Sequence, residues 1–512
     1  MILGGFSLES PAIRCIGTVS PDYFHNGAAL APLTIVPMKR YSTLFLIIAT
    51  VLLALAACDR AAPTASAASV APAAAPVVAA VPAAVPVAVL VYSAAPAAGH
   101  AVELSAVAQL GKKIFFDPSL SGSGKLACAS CHSPDHAYAP PNNLAVQLGG
   151  PKLERQGLRA VPSLRYLEHT PIFTIGPNSS VPDSDTVAAA PVTGADIKVA
   201  AVAKSSQPNA ALLAAEANVP MGGLDWDGRA DTLQSQAQGP FLDPNEMDNK
   251  SSASLLDKLR HAPYADDLRK LFGANVFDNS GLALSEALFA LGRFQMEDPS
   301  FHPYDSKYDY YLAGQAKLSA QESRGLKLFE DPKKGNCASC HIDKPSRDGM
   351  FPPAFTDYQF EALAGPRNRE LAANRDPAHY DLGLCGPMRG DYKQQASYCG
   401  LFKTPTLRNS ASRGALFHNG VFKNLEDLLH FYVERETDPG KWYPKRKDGS
   451  IEKYDDLPPR YKKNVDVVDA PFDRKQGEQP ALNDDEIKDM VVFLKTLNDG
   501  YQAGAGQASA AR

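Results

Sequence analysis

The chain has 512 residues, 45% of them apolar, with 8 cysteines, 11 histidines and a formal net charge of −5. That length carries enough apolar sequence for two or three ordinary cores. The mildly acidic balance argues against nucleic acid as a partner.

The first readable segment is a targeting signal. Met38-Lys39-Arg40 precedes an apolar run from Leu44 to Ala57 that ends Leu55-Ala56-Ala57-Cys58. A basic start, a short apolar stretch and small residues before the cut describe a secretory signal, and the run is too short to span a bilayer comfortably. The end of the run resembles the bacterial lipoprotein box, which makes Cys58 the lipidated first residue of an exported, periplasmic, membrane-anchored product. Residues 1–37 match no targeting class, so Met38 reads as the true start of the 1–58 segment. Residues 59–100 are nearly all Ala, Pro and Val and read as an extended tether.

Folded sequence begins near Val102. Gly111-Lys-Lys-Ile-Phe115-Phe-Asp117-Pro118 recurs as Gly325-Leu-Lys-Leu-Phe329-Glu-Asp331-Pro332, each on a stretch that reads as a helix stopped by Asp-Pro. Each copy is followed by the same pentapeptide: Cys128-Ala-Ser-Cys131-His132, then Cys337-Ala-Ser-Cys340-His341. Two thiols three apart with histidine next are what covalent attachment of a c-type haem requires. The cysteines add to the vinyl groups and the histidine falls beneath the iron as its ligand. A zinc site would need further Cys/His pairs to complete four ligands.

Other helices are expected at 253–272, 282–296 and Asp484 to Asn498, the last capped by Asn483 and Glu486. A glycine and an aromatic four residues later are what a small haem domain uses to cross its last helix. Strand signals are weak. The expected fold is mainly α: two cytochrome c-like domains at 101–312 and 313–503, each with one haem, after the signal and tether and before a flexible tail at 504–512. Residues 166–220 read as a loop or insertion, and 441–480 as a charged surface excursion. Cys385 and Cys399 are expected to form a disulfide in an exported protein.

The sequence resembles the bacterial di-haem cytochrome c peroxidase family, which includes the MauG-type enzymes. The resemblance spans roughly 103–500. It rests on the Leu110–Ser121 segment, Trp226-Asp-Gly-Arg229, Gln236-Ala-Gln-Gly-Pro240 with Glu246-Met247, and Phe402-Lys-Thr-Pro-Thr-Leu-Arg-Asn409 leading to Phe417-His418-Asn-Gly420. It implies that the first haem is the peroxide site, with Glu246 as its distal acid and Gln236 and Pro240 beside it, and that Trp226 lies between the haems. A carboxylate serving there needs its pKa raised by burial. The family also holds a calcium ion between the haems through an asparagine; here that position is Tyr166.

Two departures stand out. The histidine that closes the peroxide haem in many members falls just before Glu154-Arg155-Gln156-Gly157, and none is present, so the first haem is expected to be open at rest. His136 and His169 stay as alternatives. At the second haem, the usual methionine ligand is replaced by Tyr432, as in MauG-type members, with His430 and Met388 as rivals. A phenolate there favours more oxidised iron, whereas methionine raises the potential. Tyr432 also continues the apolar row of Leu425, Leu428 and Leu429, where a core role needs no metal.

The resemblance implies reduction of hydrogen peroxide with electrons from a small c-type cytochrome or cupredoxin, in a family that often forms homodimers. The alternatives are a MauG-type enzyme that oxidises a protein side chain, or a di-haem electron carrier. Gly335 stands where MauG-type members place a tryptophan used for long-range transfer.

Overall fold

A computed structural model describes residues 103–177, 218–346 and 349–502. The signal, Cys58, the whole 59–100 tether, residues 178–217 and the 504–512 tail lie outside the described residues.

The fold is mainly helical. In the first half, α1 (Ala106–Phe115) is capped by Ser105, whose hydroxyl accepts the Ala108 amide. It is followed by the single turn α2 (Cys128–Cys131), then α3 (Leu233–Leu242), α4 (Ser252–His261), α5 (Ala265–Phe272) and the long α6 (Ser280–Glu297). The continuous helix expected at 253–272 is in fact two helices. Pro263 has no amide to donate and disfavours helix at Ala262, whose ψ is 146°. The second half contains α7 (Lys307–Leu312), α8 (Ala320–Glu330), α9 (Leu425–Glu434), the short α10 (Pro439–Trp442) and α11 (Asp484–Lys495). Ser319 and Glu322 box the start of α8, and Asn483 and Glu486 that of α11.

Among the described residues, strands form three two-stranded antiparallel ladders: β1 (Leu148–Gly149) with β2 (Arg155–Gln156), β3 (Thr174–Pro177) with β4 (Asn218–Met221), and β5 (Phe360–Glu361) with β6 (Phe402–Lys403). The β3–β4 ladder lies almost wholly within the 166–220 stretch read as a loop or insertion and joins the described residues on either side of 178–217.

Two apolar cores divide the described chain, one built from residues between Leu110 and Phe301, the other between Tyr308 and Leu497. They repeat one design. In the first, Gly111 lets α1 approach α6 so closely that a β-carbon would lie 1.9 Å from the Ala290 carbonyl oxygen. Four residues on, Phe115 meets Phe294 edge-on at 5.5 Å. In the second, Gly325 on α8 faces the Asp489 carbonyl of α11, where a β-carbon would lie 2.2 Å away, and Phe329 meets Phe493 at 5.2 Å. The two copies of the sequence repeat are thus two copies of one helix crossing.

The 441–480 segment is less of an excursion than its charge suggests. Tyr443, Tyr454, Leu457, Val465 and Phe472 are buried, most of them in the second core. The charged residues between them hide this anchoring from a composition count. Cys385 and Cys399 are joined, with α-carbons 4.9 Å apart.

Candidate haem sites and the cavity between them

Each Cys-x-x-Cys-His segment folds as one tight turn, with the histidine amide donating back to the first cysteine's carbonyl: His132 to Cys128 at 2.9 Å and His341 to Cys337 at 2.8 Å. That return closes the chain between the first cysteine and the histidine in both copies. Each ring is then held by a backbone carbonyl. His132 Nδ1 lies 3.0 Å from Tyr138 O, and His341 Nδ1 lies 2.9 Å from Phe355 O. Both acceptors belong to residues in the left-handed region, at φ 53°. A carbonyl at Nδ1 fixes the tautomer that leaves Nε2 unprotonated and available to a metal. Burial pushes both imidazoles down to about 4, so both are neutral at pH 7.

Glu246, the residue expected to serve as the distal acid, is placed by the chain that follows α3. Thr232 caps that helix, and Gln236 sits one turn in. Past Pro240, the Met247 amide returns to the Pro240 carbonyl at 3.1 Å and the Glu246 amide to Asp243 at 3.1 Å, folding Glu246 back. Gly149 in β1 clamps this turn: a β-carbon there would lie 2.2 Å from Asn245 O. Glu246 is near enough to Cys128 and Cys131 for its charge to act on both thiols. Burial first, then Asp243 and Asp225, raises its carboxyl to about 7, with Arg229 opposing. Asp225, at φ 64°, accepts the Gln236 side-chain amide at 3.2 Å and pairs with Arg229 at 3.2 Å. Glu246, Gln236 and the first haem motif therefore converge.

Trp226 is fixed at both ends. Its indole donates to Ala160 O at 2.7 Å, and its own carbonyl accepts the Lys403 amide at 2.9 Å. It lines a single cavity that also takes in Gln236, Cys337, Cys340, His341, Tyr432 and Met490. Tyr432 is close enough to Cys337 and Cys340 for their charges to act on its phenol, which burial raises above its ordinary value. The rivals are engaged elsewhere: His430 Nδ1 lies 3.0 Å from Glu434 Oε1, and Met388 is not among the cavity residues. Likewise His136 turns to Ser133 at 3.2 Å, and the His169 ring meets Phe351 at a tilt, centroids 4.0 Å apart. Gln156, in the segment that lacks the closing histidine, donates to Glu370 O and accepts the Ala372 amide at 2.6 Å.

Several cavity groups went unread in the sequence. Arg413 is a half-buried guanidinium whose one described hydrogen bond goes to Val161 O at 2.7 Å, and desolvation lowers it to about 10. His418 stacks flat on Phe402 at 3.7 Å with Nε2 buried and without a partner among the described residues. Lys403 is lowered to about 8 by burial. A desolvated cation and an orphaned ring nitrogen are what a ligand carrying carboxylates would satisfy, and a haem's propionates are such groups. Neutral imidazoles beside paired thiols fit the rest of a c-type haem. Calcium fits less well: Tyr166 gives its phenol to Asp499, and the Arg408 guanidinium lies 4.8 Å over its ring. Among the described residues, no group of His, Cys, Asp and Glu side chains is arranged to hold a metal ion.

Two such haem-attachment turns, one helix-crossing scaffold in duplicate and a cavity reaching from one site toward the other define a di-haem c-type oxidoreductase. The chain belongs to the di-haem cytochrome c peroxidase family, whose model matches residues 105–317. It is similar to the di-haem peroxidase BthA of Burkholderia thailandensis, a solved structure with 36% identity and a TM-score of 0.64, covering 78% of this chain and 87% of that one. It is 29% identical over 419 residues to the methylamine utilization protein MauG of Paracoccus denitrificans, covering 79% of this chain and 92% of that protein. It is 28% identical over 328 residues to the cytochrome c551 peroxidase of Pseudomonas aeruginosa, covering 63% and 70%. The family thus includes both cytochrome c peroxidases and MauG-like enzymes, and membership implies two c-type haems.

Proposed function

We propose that the protein reduces hydrogen peroxide to water at the first haem, drawing electrons one at a time through the second from a small c-type cytochrome or cupredoxin. In this reading it is exported to the periplasm and tethered to the membrane through Cys58, and its two cytochrome c-like lobes are a peroxide lobe and an electron-entry lobe. Bound haem supplies an iron position and the store of redox equivalents. His132 and His341 hold the irons, Cys128, Cys131, Cys337 and Cys340 hold the rings, and Tyr432 is the second ligand of the electron-entry site.

The observation that carries the reading is Glu246. A carboxyl at about 7, poised beside the first haem motif, accepts the proton of the near peroxide oxygen and returns it to the far one. The Gln236 amide, steered by Asp225, orients the peroxide. The segment where the family's closing histidine falls, Glu154-Arg155-Gln156-Gly157, carries none, which supports turnover without prior reduction. The test is peroxide-dependent oxidation of a reduced small cytochrome c by the as-isolated di-haem protein. Turnover abolished by Glu246→Gln, with both haems retained, supports the reading; no turnover overturns it.

A second reading, oxidation of a protein side chain as in MauG-like enzymes, is favoured by Tyr432 and by the extent of similarity to MauG. Against it, Gly335 is packed: a β-carbon there would lie 2.6 Å from Leu328 O and 3.1 Å from Cys337 Sγ, leaving no room for a tryptophan. A long-lived oxidised spectrum after peroxide, with no donor turnover, would favour this second reading.

A further inference from the structure

Tyr166 and Tyr304 face each other with ring centroids 4.7 Å apart, and the Tyr304 amide donates to the Tyr166 phenol oxygen at 3.3 Å. Each phenol is bound to a carboxylate. Tyr166 donates to Asp499, and Tyr304 donates to Glu168 Oε1 at 2.6 Å. Both residues sit in the left-handed region, at φ 64° and 47°, a conformation that costs a bulky side chain energy and marks sites held by their surroundings.

The pair lies between the two haem sites. On one side, the Tyr166 amide donates to Phe301 O, and Phe301 stacks at 3.8 Å on Tyr138, whose carbonyl holds His132. On the other, Arg408 covers both tyrosine rings at 4.8 Å and reaches the ring of Phe355, whose carbonyl holds His341. Tyr166 itself lines the cavity shared with Trp226 and His341. From Tyr304 a route leads outward: Glu168 lies 3.8 Å from His169 Nε2, and that side chain is 38% exposed.

We infer that Tyr166 and Tyr304 form a redox site that gives up an electron when peroxide has oxidised the haems and the donor has not yet arrived. This rests on the peroxide-reducing reading and deepens it. One electron passes from Tyr304 to the oxidised haem, which is reduced by one equivalent. The phenolic O–H bond breaks, its proton goes to Glu168 to form a carboxylic acid, and a neutral phenoxyl radical is left. One electron from the donor and the proton from Glu168 restore the phenol. The proton must leave with the electron, because Arg408 stacked on both rings opposes any cationic radical. Tyr166 exchanges with Tyr304 across the ring contact, its own proton going to Asp499.

The test is freeze-quenched electron paramagnetic resonance of the di-haem protein after hydrogen peroxide, without donor, with haem absorption followed in parallel. Wild type and Tyr166→Phe/Tyr304→Phe, which keeps both rings, are compared at equal haem content. Ring-deuterated tyrosine in wild type assigns the signal without relying on the variant. The expected result is a tyrosine radical that narrows on deuteration and is largely lost in the double variant, which also loses its haem absorption after fewer peroxide additions. A haem response with no tyrosine radical, or with one unchanged in the variant, overturns the proposal and leaves peroxide reduction standing. No haem response to peroxide overturns both.

Discussion

Gly111 and Ala290 are in backbone contact: a single added carbon on the glycine would stand 1.9 Å from the alanine carbonyl. Neither partner can yield, since both belong to helix backbones. Gly111→Ala is expected to push α1 off α6 and to cost about 1–3 kcal/mol or more. Gly325→Ala is expected to act alike on the second core, through Asp489. Thermal unfolding of the haem-loaded variants measures both, and an unchanged midpoint in either would contradict the packing described.

In the proposed peroxide reaction, Glu246 is expected to set the pH dependence. Burial and its acidic neighbours raise the carboxyl to about 7, so it is protonated below that pH and a carboxylate above. Accepting the peroxide proton needs the carboxylate, so the rate of the first peroxide reaction should rise through pH about 7 and level off. Glu246→Gln should lower that rate roughly 10²–10⁴-fold and flatten the profile. Stopped-flow haem absorption at a series of pH values is the measurement.

Asp225 offers a subtler variant. It raises the Glu246 carboxyl and also anchors Gln236. Asp225→Asn should move the midpoint of the pH profile downward while leaving a measurable rate. A midpoint that stays put would show that the neighbouring charge is screened.

Tyr432 is expected to ligate only one haem. Tyr432→Met should change the ferric absorption of that haem alone and raise its potential by on the order of 100 mV. His430→Gln should leave both spectra as they were, because His430 is already bound to Glu434. Spectroelectrochemical titration separates the two haems.

Arg408 and Asp309 form a doubly bonded ion pair at 2.8 and 2.9 Å with neither side chain exposed. Removing one partner strands the other charge, so Arg408→Ala should cost about 3–5 kcal/mol. Asp309→Asn, which keeps the shape and some hydrogen bonding, should cost less. Denaturant unfolding compares them.

Much of this architecture was legible in the chain. The repeated Gly…Phe…Asp-Pro pattern announced two equivalent helix crossings, because an aromatic four residues after a glycine shares its helix face. The Cys-x-x-Cys-His pentapeptides pointed to two equivalent turns, and the structure holds His132 and His341 alike, each by a backbone carbonyl. The flanking motifs put Glu246 and Gln236 together, although they come from a helix and the irregular turn after it. What escaped is what periodicity cannot carry. Asp225 acts through a left-handed backbone, Arg413 and His418 reach the cavity from loops, and the partners of Tyr166 and Tyr304 lie far away in sequence. The core anchors of 441–480 were masked by the lysines and aspartates between them, and the break at Pro263 by the apolar rows on either side.

The bonds that cross between the lobes have a consequence for modularity. Lys403 holds the Trp226 carbonyl, His418 accepts the Ala160 amide, and Arg159 pairs with Asp381 at 2.6 Å. The first lobe therefore borrows its indole's orientation from the second. Although each half repeats the other's helix crossing, neither could be exchanged for a relative's half without carrying its share of this seam. The unit of inheritance is the pair.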